Sequence, residues 1–185
     1  MNENGLNYID LFAGAGGLSE GFIQSGYRPV AHVEMNEHAA KTIETRIAYY
    51  YLKDNGKIKS YYDYEKGKLT REQLLEKIPQ EELKTVINKE MSESTIKGIF
   101  NTIDDIKREK EIDKIDVIIG GPPCQAYSLV GRAQSSHMIV PMEDDPRNEL
   151  YKMYVQFLKK YKPRMFVFEN VAGIKTARGG QAFKN

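Results

Sequence analysis

The run Tyr8-Ile9-Asp10-Leu11-Phe12 passes directly into Ala13-Gly14-Ala15-Gly16-Gly17 and then into Leu18, Phe22 and Ile23 at helical spacing. That reads as strand, tight glycine turn and helix, and a strand followed at once by a helix must pack that helix back across a sheet. Gly26 closes the helix. Pro29 to Glu34 supplies a second strand, and Asn36 is placed to cap a helix carrying Ala39, Ala40, Ile43 and Ile47. Ile115 to Gly120 is a continuous apolar run bounded by glycine and proline, as expected of a strand buried on both faces. Leu150, Met153, Tyr154, Phe157, Leu158 and Tyr161 trace one helix face, stopped by Pro163, and Met165 to Phe168 follows as the next buried strand. The alternation predicts a doubly wound α/β sheet whose ligand lies beyond the carboxyl ends of its strands, near Phe12, Glu34, Ile119 and Glu169.

Composition narrows the setting. At 185 residues and 41% hydrophobic, the chain can bury the core of one domain without staples. One cysteine cannot form an internal disulfide, and no N-terminal run has signal-peptide character, so the expectation is a reducing, cytoplasmic protein. No stretch is apolar enough to span a membrane. With 27 basic and 26 acidic residues the net charge is +1, which leaves any nucleic-acid role to local chemistry.

Residues 49 to about 100 are rich in lysine and glutamate and are expected to form an inserted helical appendage. It opens with Tyr49-Tyr50-Tyr51, continues through Tyr61-Tyr62-Asp63-Tyr64, carries a capping-box pattern from Thr70 to Gln73, and is interrupted by Pro79. Tyrosines interleaved with lysines can stack on bases and touch phosphates. A solvated hairpin whose tyrosines pack on the sheet is the commoner outcome and is expected here.

Each candidate site residue has a plain structural reading beside its chemical one. Gly14, Gly16 and Gly17 let backbone amides approach a ligand, yet the same glycines suit any tight turn, and Ser19 stands where the dinucleotide fingerprint wants its third glycine. Glu34, twenty residues after Gly14 at the end of the second strand, can accept both hydroxyls of a ribose, with Met35 against an adenine face. Asp104-Asp105-Ile106 is expected where the third strand ends, where a carboxylate can accept from an amino group. Acids at a helix start also favour its dipole without any ligand. Cys124, alone on a loop stiffened by Pro122 and Pro123, is either a small buried hydrophobe or a nucleophile at the sheet edge. Glu169 ends the following strand as a cap or, near a thiol, as a proton donor of raised pKa. His32, His38 and His137 match no metal spacing, and no metal is expected.

Taken in order, DLFAGAGG, VEMN, GGPPCQAYS, DPRNEL and FENVAG resemble the DNA (cytosine-5) methyltransferase family, over nearly the whole chain outside residues 49–100. The resemblance implies a Rossmann-like methyltransferase sheet with Phe12, Gly14, Ala15, Gly16 and Gly17 as the S-adenosylmethionine loop. It implies Glu34 as ribose ligand, Met35 as adenine neighbour, Asp105 and Ile106 as the adenine-edge contact, and Pro123 and Leu150 lining the same pocket. Cys124 matches the catalytic nucleophile and Glu169 the acid that holds the target cytosine. Gln125, Ser128, Arg132 and Asn170 match substrate-side positions, and the family's loop that closes over a flipped base would run from Ser128 to about Asp145, with Gly131-Arg132 as its basic element. Tyr127 replaces the phenylalanine common at its position.

The family's arginine-containing motif, its target-recognition domain, its C-terminal segment and the last strands of its sheet find no match in these 185 residues. The expectation is therefore an incomplete catalytic domain from a restriction-modification setting. It would act on double-stranded DNA together with a C-terminal portion, in the same or a separate chain, and would associate with the nucleoid. Two other readings use the same residues: a non-catalytic binding protein on this sheet, for which Cys124 and Glu169 are superfluous, and a tRNA cytosine-5 methyltransferase.

Overall fold

The computed structural model describes residues 5–122 and 150–170. Five parallel strands form one sheet in the order β3-β2-β1-β4-β5, with β1 Asn7–Leu11 at its centre, β2 Arg28–Glu34, β3 Val86–Asn88, β4 Val117–Gly120 and β5 Met165–Phe168. β1 pairs with both β2 and β4, so the chain reverses its order of winding at β1 and opens a crevice at that strand's carboxyl end.

The helices follow the sequence signals closely. α1, Gly17–Gln24, starts within the glycine turn, and α2, Glu37–Asp54, is capped by Asn36, whose side chain accepts from the Ala39 amide at 3.0 Å. Five more follow among the described residues: α3 Lys59–Glu65, α4 Arg71–Leu75, α5 Gln80–Leu83, α6 Ile96–Glu109 and α7 Leu150–Tyr161. Thr70 and Gln73 form the reciprocal capping box at the start of α4, and Pro79 precedes α5.

Alternation along β1 sorts the core onto two faces. Ile9 and Leu11 join Ile99, Ile103 and Ile106 of α6 and Met153 and Phe157 of α7, whereas Tyr8 joins Val117 and Ile119 beneath Phe22 and Ile23 of α1. The burial of fourteen-residue α6 through Ile96, Ile99, Ile103 and Ile106 is the i, i+3, i+7, i+10 stripe of an amphipathic helix. No helix among the described residues is long and apolar enough to cross a membrane.

Four expectations are corrected. The third strand is Val86–Asn88, inside the stretch expected to be helical insert, and three residues are too few to show a period of two. Asp104, Asp105 and Ile106 therefore do not follow that strand but lie within α6. The appendage tyrosines do not pack on the sheet: Tyr61 meets Tyr49 of α2 at 5.1 Å, and Tyr51, Tyr61 and Tyr64 cover a second small core of Ala48, Leu52, Leu74 and Ile78. β5 is not buried throughout, since Met165 and Phe166 are 46% and 54% exposed.

Candidate functional site

The turn after β1 is held from several sides. Phe12 adopts a left-handed φ of 58° despite its side chain, and Gly14 and Gly16 follow at 54° and 79°. The Ala13 amide donates to the Val33 carbonyl at 3.1 Å, and the Gly16 amide closes on the Ala13 carbonyl at 2.9 Å. Glu34, at the end of β2, accepts from the Gly14 amide through Oε2 at 2.8 Å and from the Asn36 amide through Oε1 at 2.7 Å. Asn88, ending β3, donates to the carbonyls of Glu34 and Met35 at 2.8 and 3.1 Å. The carboxylate is thus fixed at the strand ends, with lone pairs still available to a ligand.

Beside it opens a cavity of about 520 Å³. Phe12, Val33, Met35, Met91, Leu150 and Met153 give it apolar walls, while Glu34, Lys89, Glu90, Ser92, Glu93 and Lys152 supply polar groups. Phe12, Glu34, Met35 and Leu150, from three separate parts of the chain, all line this cavity; Gly14, Ala15, Gly16 and Gly17 form the adjoining turn without lining it.

Asp105 and Ile106 do not come to this cavity. Asp105 pairs with Arg108 at 2.7 Å on the exposed side of α6, and Ile106 is 3% exposed in the core. The segment following the third strand, Lys89 to Glu93, lines the cavity instead. The available signal was Glu90-Met91 directly after Val86-Ile87-Asn88, an acid and an apolar residue at a strand end.

Asp10, within β1, carries no local sequence signal of a site role. It is 1% exposed, its Oδ2 has no hydrogen-bond partner among the described residues, and burial, reinforced by the Glu34 charge, pushes its carboxyl up to about 8. Opposite it in register stands His32, buried on β2, whose ring burial pulls down to about 4. His32 Nε2 meets the Ser19 hydroxyl at 2.8 Å, and that hydroxyl meets Tyr8 at 2.5 Å. Ser19 therefore bridges two strands to α1 where a third glycine would leave the histidine without that partner.

On the other side of β1, the Glu169 amide donates to the Gly120 carbonyl at 2.9 Å, and the Asn170 side chain donates to the Pro122 carbonyl at 3.5 Å. A Cβ on Gly121 would lie 2.5 Å from Oε2 of Glu169, so the carboxylate occupies the space that this glycine leaves empty. Glu169 and the start of the Gly120-Gly121-Pro122 loop are therefore in direct contact. Pro123, Cys124, Gln125, Ser128 and Arg132, with the loop that carries them, lie outside the described residues.

The chain is 37% identical to the type II methyltransferase M.Bpa9945I of Bacillus paralicheniformis over 95% of its own length and 43% of that protein's. It is 32% identical to the type II methyltransferase M1.HphI of Haemophilus parahaemolyticus, over 95% of this chain and 35% of the other. The chain thus spans less than half the length of these relatives. Among solved structures it resembles an E. coli prophage protein provisionally described as a DNA modification methyltransferase, with a TM-score of 0.54, 26% identity and coverage of 97% of this chain and 36% of that one. The family of C-5 cytosine-specific DNA methylases matches residues 6–70 and 82–185, leaving only a segment around α4 unmatched within the matched span. With a parallel α/β sheet of this order and a match across most of its length, the chain belongs to the C-5 cytosine-specific DNA methylase family.

Proposed function

We propose that this chain forms the cofactor-binding and cytosine-handling part of a methyltransferase acting on carbon 5 of cytosine in double-stranded DNA. The observation that carries the reading is the meeting of Phe12, Glu34, Met35 and Leu150 around one cavity at the reversal point of the sheet. The residues fit S-adenosylmethionine: apolar walls suit adenine, the fixed Glu34 carboxylate suits paired ribose hydroxyls, and a volume of about 520 Å³ falls in the range for small-ligand sites. Bound there, the cofactor supplies an electrophilic methyl group. Gly14, Ala15, Gly16 and Gly17 would hold its methionine end, and Glu90 and Met91, rather than Asp105 and Ile106, would meet the adenine edge.

The remaining chemistry belongs to the protein and the base. Carbon 5 of cytosine is a poor nucleophile, so the Cys124 thiolate adds to carbon 6 and makes carbon 5 electron-rich. Glu169 hydrogen-bonds the ring at N3 and the amino group, where charge develops, with Asn170, Gln125, Ser128 and Arg132 on the substrate side and Pro123 serving the cofactor pocket. After carbon 5 is methylated, loss of its proton expels the thiolate. A base inside a duplex is out of reach, so it must be flipped out at a cost of roughly a few kcal/mol. Reading of the DNA sequence would fall to the C-terminal portion of the enzyme, in the same or a separate polypeptide.

Two measurements test this. The chain should bind S-adenosylhomocysteine in a calorimetric titration. Supplied with a C-terminal portion and cofactor, it should also be trapped covalently on a duplex bearing 5-fluorocytosine, and Cys124→Ser should abolish the adduct. Trapping that persists in the serine variant would sink the mechanism, and no binding would sink the cofactor assignment.

A further inference from the structure

Arg46 lies on α2, outside the cavity, yet it reaches the glycine turn. Its Nε donates to the Ala15 carbonyl at 3.0 Å, and its Nη1 donates to Glu20 Oε2 of α1 at 2.8 Å. Glu20 is itself tethered, since Oε1 accepts from the Tyr50 hydroxyl at 2.5 Å and from the Gln24 amide at 2.8 Å. A guanidinium is a planar fork that can serve two acceptors in fixed directions, and here one acceptor is anchored so that the other is held.

What it holds is the peptide between Ala15 and Gly16. The carbonyl of that peptide is bound by Arg46, and its amide by the Ala13 carbonyl at 2.9 Å, so the plane is fixed at both ends. Its orientation aims the following amides of Gly17 and Leu18, which belong to the first turn of α1 and have no partner within the helix. α2 approaches so closely that a Cβ on Gly16 would stand 3.4 Å from Ile43 and 3.5 Å from the Arg46 stem.

We propose that Arg46 is a positioning residue for the cofactor turn: bonded to Ala15 and steered by Glu20 and Tyr50, it presets the amides that face the cofactor. The proposal rests on the reading of the adjoining cavity as the S-adenosylmethionine site. Tyr49, beside this brace on α2, meets Tyr61 of α3 at 5.1 Å, and Glu44 is ion-paired with Arg71 of α4, so the appended helices bear on the same helix.

The Arg46 side chain is 38% exposed, so its removal opens no void in the core and separates positioning from stability. Titration of the 185-residue chain with S-adenosylhomocysteine should show R46A weakened about tenfold, the scale of a lost hydrogen bond to a charged group. E44Q, which breaks the α2 to α4 pair alone, serves as the control for general loosening of α2. It should melt at about the same temperature as R46A while binding as wild type does. R46K should recover melting but stay nearer R46A in affinity, and hydrogen exchange at the Gly16 amide should quicken in R46A only. Wild-type binding with R46A within twofold of it, or an equal loss in E44Q, would overturn the inference alone. A wild-type chain that binds no S-adenosylhomocysteine overturns the cofactor reading and this inference with it.

Discussion

At the ends of β1 and β2 the backbone and the Glu34 carboxylate are tied down by named hydrogen bonds, whereas at the ends of β4 and β5 the geometry depends on side chains that glycines do not have. Glu34 is locked by two amides, and the turn beside it by Val33, Ala13 and Arg46. Across β1, a Cβ on Gly120 would lie 2.1 Å from the Leu11 carbonyl oxygen, and one on Gly121 would overlap Glu169. The two halves should therefore fail differently. Substitutions near β2 remove bonds and weaken a ligand, while substitutions at the end of β4 force atoms apart and move the backbone.

The largest effect should come from Gly120→Ala. The overlap is with backbone that cannot rotate away, and φ there is +153°, so both sterics and conformation oppose a side chain. A loss of about 4 kcal/mol or more is expected, on the scale of severe core disruption. Gly17→Ala is the matching control on the other half, because nothing lies within 4 Å of a Cβ there. Urea denaturation should show that variant unchanged or slightly stabilised; equal losses at both positions would erase the contrast.

Gly121→Ala should be milder in stability and more visible in function. The nearest atom is the end of the flexible Glu169 side chain at 2.5 Å, but the Glu169 carbonyl at 3.0 Å limits how far it can yield. Displacing the carboxylate should reduce trapping on 5-fluorocytosine DNA by about tenfold or more, with a stability loss of about 1–2 kcal/mol. Unchanged trapping would mean that Glu169 is not positioned by the space at Gly121.

A third test addresses what joins β4 to β5. The Tyr154 hydroxyl lies 3.0 Å from the carbonyls of Ile118 on β4 and Val167 on β5, pinning α7 across both strands. Tyr154→Phe should cost about 1–2 kcal/mol by removing the buried hydroxyl's hydrogen bonding to these carbonyls. A neutral result would show that the strand ladder alone aligns this half.

The same contrast explains what was legible in the sequence. Strand, glycine turn and helix were readable around Phe12 because each signal is local, and the cap at Asn36 and the box at Thr70 are likewise short-range. β3 was not readable: Val86-Ile87-Asn88 is brief, follows a helical turn, and becomes a strand only because β2 offers an edge. Without that strand, Asp105 and Ile106 read as following a strand end, although they lie within α6. Asp10 sat in plain view, but its meaning comes from desolvation, which no local pattern reveals.

Asp10 is the exception in the half that is otherwise tied down, and pH is the means of probing it. Its folded pKa, about 8, is raised above the ordinary 3.8, so the stability it confers as a neutral acid is present below 3.8 and is lost as pH rises towards 8. His32 has the opposite sign: with a folded value near 4 against 6.5, its stability is present above 6.5 and is lost as pH falls towards 4. Between about 4 and 6.5 the two slopes oppose, and above 6.5 only the Asp10 slope remains. Wild type should therefore be about 1–2 kcal/mol less stable at pH 8 than at pH 6.5, given about 1.4 kcal/mol for each full pH unit of linkage. Asp10→Asn, which mimics the neutral acid, should abolish that fall and expose the His32 decline on the acid side. Denaturation of both proteins at pH 5, 6.5 and 8 isolates Asp10 by difference, because every other titration, that of His32 included, is shared. Parallel curves would mean that Asp10 ionises in the folded chain as freely as in the unfolded one, and that the β1 and β2 half holds its buried carboxylate by some means other than excluding the charge.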